Sequence, residues 1–219
     1  MMNDTKKMLK MAKYTPGIKT QFCMVLVIWA VGFVYEFLLP DEFLLGSMYL
    51  LMPVSVVYHV AYMANTSALM QSSTLKKHSQ TVFPYIFVVP FTLVVFSLIV
   101  LHRIALAKSG TFEASFSGNY IILSAILTAA DLIFISLTYK YMLTSIISFV
   151  AIIIALMLTG ARHSTVLFDK LAGGSMSHAI GLSYVLVIFG IITAIVMSFA
   201  LYRKDLSKTI YKQLGRISK

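Results

Sequence analysis

The sequence predicts an all-α membrane protein with six transmembrane helices. Three observations predict it. Hydrophobic residues make up 59% of the chain and charged residues only 12%, about half the charged share of a soluble domain. The mean hydropathy is +0.87. Apolar runs of about 20 residues, the length that crosses a hydrocarbon core as a helix, recur along the chain, whereas the alternating ten-residue strands of a membrane β-barrel do not.

The chain opens on a basic segment. On a helix, Met8, Leu9, Met11 and Ala12 fall on one face, and Lys6, Lys7, Lys10 and Lys13 fall opposite. This pattern predicts an interfacial helix over 5–14, apolar side toward the lipid. Pro16-Gly17 then breaks it. The first apolar run is full length and no small-residue cleavage site follows it, so it is expected to stay as a helix.

Six spans are expected at 20–39, 43–63, 83–104, 118–139, 142–160 and 180–202, because a chain in lipid must satisfy its backbone within helices. Pro53 falls in the second and Pro84 and Pro90 in the third, where proline removes a backbone hydrogen bond and favours a kink. Gly181, Ser183 and Gly190 give the sixth the small residues that let helices approach closely. With the N-terminus inside, fourteen of the eighteen Lys and Arg lie on cytoplasmic segments, which predicts both termini in the cytoplasm. The remaining four are Arg103 at the outer end of the third span, Lys108 on the outer loop 105–117, and Arg162 and Lys170 on the outer loop 161–179. The tail places Leu206, Ile210 and Leu214 at successive helical turns among Arg203, Lys204, Lys208 and Lys212, a basic helix suited to anionic lipid.

Several functions are excluded. The basic balance, net +10, belongs to span flanks rather than to a nucleic-acid surface. A single cysteine, Cys23, rules out an internal disulfide or a cysteine metal cluster. No HExxH spacing marks a metal enzyme, and His102 and His163 are expected to be external and dispersed. Ser175 and His178 lack the context of a hydrolase nucleophile. Leu171-Ala172-Gly173-Gly174-Ser175 looks like a nucleotide-contacting signature, but no GxxxxGK[ST] loop accompanies it. No catalytic residue and no metal site are assigned, and the chain is not expected to be an enzyme by itself.

Two acids stand out as candidates to line a translocation path. Asp131 lies deep in the fourth span, where an ionisable group costs a few kcal/mol and faces the bundle interior or a watery cavity. Glu36 lies near the outer end of the first, within reach of the interface. His59, with Tyr58 and Tyr62, reads as interfacial packing.

The longest polar interruption among the first four runs is 65–82. It is rich in Ser and Thr, carries Lys76, Lys77 and His78, and has no acid, glycine or proline. Within it, Gln71-Ser72-Ser73-Thr74-Leu75-Lys76-Lys77 lies where permeases of type-2 ATP-binding-cassette exporters have a cytoplasmic coupling helix. The whole chain resembles the short bacterial permeases of that family in span number, basic N-terminal helix and loop placement. The resemblance implies a bacterial plasma-membrane protein that forms a path with a second permease copy, a homodimer. Two separate ATPase subunits would bind the 65–82 loop and supply ATP and Mg chemistry, this chain binding no cofactor. Amphipathic peptides or toxins would be the substrate, membrane lipid a further partner, and nucleic acid none. The competing expectations are an ion- or proton-coupled secondary transporter using Asp131, and a membrane immunity or assembly protein that transports nothing.

Overall fold

The computed structural model describes Thr5 and residues 18–39, 44–63, 73–160 and 166–208. Among them the chain is helical and contains no strand. The elements are α1 (Ile18–Phe33) continued by a π-helical turn (Val34–Leu38), α2 (Leu45–Met63), α3 (Lys76–Thr81), α4 (Phe83–Lys108), α5 (Ala114–Thr138), α6 (Met142–Gly160), α7 (Val166–Ala172) and α8 (Met176–Leu201). Among the described residues five helical stretches are long and apolar enough to cross a bilayer: Lys19–Leu38, Leu45–Tyr62, Lys76–Lys108, Ala114–Thr138 and Met176–Leu201. The apolar part of α6, Met142–Leu158, is shorter, about 25 Å at the helical rise of ~1.5 Å per residue. The molecule is a multi-pass, all-helical membrane protein.

α5 is the centre of the bundle and packs against α2, α4, α6, α7 and α8. Lipid is as apolar as leucine, so burying a leucine from lipid gains nothing from water exclusion. Helix contacts therefore rest on close packing and polar links. The α5–α8 seam has the close packing, and the polar link on α8 runs to Tyr85 of α4. Ala179, Ser183, Gly190, Ala194 and Ser198 are buried along α8, and a Cβ at Gly190 would lie 2.7 Å from Ala129 Cα. Gly181, expected to share that role, has open space around its missing side chain.

α1 and α2 meet as tightly, for a Cβ on Gly32 would fall 2.6 Å from the Leu50 backbone nitrogen. Large apolar side chains lie exposed along the helices, Leu38, Leu101, Leu143 and Phe189 among the most exposed described residues. That is the surface a lipid-solvated bundle needs.

Several sequence expectations are corrected. Pro84 sits in the first turn of α4, where its missing N–H is an orphan anyway, so it is no kink in the span. Among the described prolines only Pro53 and Pro90 lie inside helices. The 105–117 loop shrinks to 109–113, because α4 runs on to Lys108 and α5 starts at Ala114. The 161–179 loop contains α7 and the start of α8. Gly173 and Gly174 end α7 with φ of 57° and 71°, a left-handed turn that glycine adopts without strain. The interfacial-helix residues Lys6, Met8, Leu9, Lys10, Met11, Ala12 and Lys13 lie outside the described residues, as do Gln71 and Ser72 of the loop segment and Ile210 and Leu214 of the tail.

Candidate functional site

Three polar constellations interrupt this apolar bundle. The first lies at the end where α1 finishes and α2 begins. The π-helical turn closes with the Leu39 N–H donating to Val34 O at 2.9 Å. Its extra residue per turn aims Glu36 into the bundle, a device common at functional positions. Glu36 is fully buried. Arg103 Nε donates to its Oε1 at 2.9 Å and Tyr120 Oη to its Oε2 at 2.6 Å, while His102 Nδ1 lies 3.3 Å from Oε1. Tyr120 in turn accepts from the Ser47 N–H at 3.1 Å, and the Arg103 guanidinium lies 3.4 Å from the centre of its ring.

Glu36 is thus enclosed among these partners within the chain. Arg103 is a buried helical residue rather than a flanking charge, and His102 is not dispersed. All three join the π turn, α4 and α5 in one buried cluster. Hydropathy placed the two basic residues outside because their partner is distant in sequence. The signal available was a lone acid and a lone arginine, both at span ends expected on the same side.

The second constellation surrounds Asp131, about 10 Å from the end of α5 at the helical rise of ~1.5 Å. Its side chain is 5% exposed. Oδ1 accepts from Ser55 Oγ at 2.6 Å. Oδ2 has no hydrogen-bond partner among the described residues. Asp131 lines a cavity of about 310 Å³ between α2, α5 and α6, walled by Leu51, Met52, Phe134, Phe149 and Ile153. A neighbouring cavity of about 320 Å³ continues along α2 toward His59, Tyr139 and Gln21. The two share Ser55, Val56 and Phe134. At their far end Tyr139 Oη is hydrogen-bonded to His59 Nδ1. His59 is therefore part of the cleft, beyond the packing expected of it.

The third constellation is α3. Ser73 sets its start, accepting from the Leu75 N–H through Oγ and from the Lys76 N–H through its carbonyl. Only Val82 separates it from α4. Its back is buried at Ser79, Gln80 and Thr81. Lys140 Nζ donates to Gln80 Oε1 at 3.2 Å and to the Lys204 carbonyl. Burial, with the charge of Lys76 nearby, lowers the Lys140 pKa to about 8, and Asp205 opposes this in part. Lys77 Nζ lies 6.0 Å and 5.7 Å from the ring centres of Phe199 and Tyr202. Thr74 and Lys77 are exposed. Thr5 Oγ1 is 3.2 Å from His78 Nε2, so the start of the chain meets this helix.

No family model, curated protein or solved structure matches this chain.

Proposed function

We propose that this chain is the transmembrane permease subunit of an ATP-driven exporter. In this reading it has six spans, α6 being the fifth, and sits in a bacterial plasma membrane with both termini cytoplasmic. Two copies form the path, a separate ATPase subunit beneath each supplies the ATP and Mg chemistry, and amphipathic peptides or toxins are the cargo. The observation that carries the reading is the mounting of α3. Its back is fixed to the Lys140 turn through Gln80, its last turn feeds into α4, and Thr74 and Lys77 are exposed, Lys77 lying over the end of α8. A force applied to that face would reach α4, α5 and α8 together. The test is the double reversal Lys76→Glu/Lys77→Glu, with pull-down in mild detergent. It is expected to lose a co-purifying nucleotide-binding subunit that the parent chain retains. Unchanged recovery of that subunit would remove α3 from the docking role.

A second reading, an ion- or proton-coupled carrier, is favoured by one observation, the unpartnered Oδ2 of Asp131 on a cavity. Buried ionisable groups in spans commonly mark ion pathways. Uptake into vesicles separates the two readings. Transport that survives a proton ionophore but needs ATP supports the exporter, and the opposite result supports the carrier.

A further inference from the structure

We infer that the cleft between α2, α5 and α6 binds hydrophobic monocations, with Asp131 as the counter-charge. The cleft lies within one chain, apart from the path proposed between two copies, so the inference goes beyond that reading. Binding itself is measured on the chain alone, without an ATPase, so the two can fail separately.

The sign of the charge follows from the lining. Among the described residues that line the two cavities, Asp131 supplies the only acidic group, and there is no lysine or arginine. The carboxylate is held from one side by Ser55 and leaves Oδ2 unpartnered and buried. A cation entering the cavity would satisfy that oxygen.

The hydrophobic requirement follows from the rest of the wall. Phe134 and Phe149 stack with ring centres 4.5 Å apart, and Met52, Leu51 and Ile153 complete the surface. Aromatic faces hold a weakly hydrated cation through its charge, and more strongly when water is excluded. A small hydrated ion would find one carboxylate oxygen, one occupied hydroxyl and no further ligands in the first cavity, too few to replace its water shell. Entry from the bilayer is open, because α6 packs chiefly on α5, and Val150 on the cleft wall is exposed.

The experiment uses the full chain in lipid nanodiscs, with radiolabelled tetraphenylphosphonium as the probe. Tetraphenylborate, of the same shape and opposite charge, is the control, and empty nanodiscs give the background. Saturable binding of the cation is expected, with no saturable binding of the anion. Asp131→Asn should weaken the cation at least tenfold, and Asp131→Glu should retain most of the affinity. Should the Asn variant fail to fold, Val150→Trp decides. It sits on the exposed flank of the cleft, fills it, and should weaken the cation at least fivefold. Equal binding of both ions marks a lipid-like apolar groove and overturns the proposal. So does wild-type affinity in a folded Asp131→Asn or Val150→Trp chain.

Discussion

Arg103→Met tests the buried cluster most sharply. The substitution removes the guanidinium that donates to Glu36 at 2.9 Å and covers Tyr120. Glu36 stays fully buried, with its charge held only by Tyr120 and His102. Breaking a buried ion pair from one side costs about 3–5 kcal/mol, because the remaining charge is left uncompensated. Adding Glu36→Gln removes that stranded charge and keeps an acceptor for the Tyr120 hydroxyl. The double variant should therefore recover part of the loss, a coupling of about 1–3 kcal/mol. Thermal unfolding in detergent can be followed by the fluorescence of Trp29, the one tryptophan. In soluble domains of this length ~1 kcal/mol corresponds to about 2–4 °C. Arg103→Met should then lower the midpoint by about 6–20 °C, and the double variant should melt measurably above the single. A double variant that melts at or below the single would refute the view that a stranded charge is the source of the loss.

Gly190→Ala should cost about 1–3 kcal/mol, as overpacking does, because the new Cβ would fall 2.7 Å from Ala129 Cα. Gly181→Ala, with nothing within 4 Å, should not lower the midpoint and should add up to about 1 kcal/mol of stability, since alanine favours a helix over glycine. Lys140 gives a pH signature. The unfolded chain keeps its proton up to about 10.5 and the folded chain releases it near 8. Between these values the unfolded state binds more protons, so the Lys140 contribution to stability rises with pH across that window and is lost again as pH falls through 8. The melting point of the parent chain relative to Lys140→Met should climb from pH 7.5 to 10.5, and a flat difference would contradict the burial of Nζ. Tyr85→Phe removes the hydroxyl bonded to Ala194 O and Ser198 Oγ at 2.9 and 2.7 Å. It should cost about 1 kcal/mol, the net worth of a typical internal hydrogen bond, and a stability gain would count against that link.

Apolar run length located the helices to within a few residues, since lipid imposes a length that any span must satisfy. The expected span 142–160 and helix α6 coincide, and 43–63 differs from α2 by two residues at one end. Hydropathy failed where a polar residue belongs to a span. Arg103 and His102 close the expected span 83–104 and read as flanking charges, because a window average cannot foresee that Glu36, 67 positions from Arg103, is their partner. Asp131 was legible as unusual, but its cleft was not, since Ser55 and Phe149 come from two other helices. Gly181 and Gly190 look alike in sequence. Only the rotation of α8 decides which of them faces α5, and the small residues on both faces of the helix leave that rotation unspecified.

The most direct test of the central claim is photocrosslinking from position 74, an exposed residue at the start of α3. A photoreactive amino acid is placed there in cells that make the protein at native level, and the adducts are identified by mass spectrometry. A covalent adduct with a nucleotide-binding subunit, lost in Lys76→Glu/Lys77→Glu, is the predicted result. Labelling of position 74 by a membrane-impermeant reagent added outside the cell, or adducts that contain no ATPase, would contradict the account.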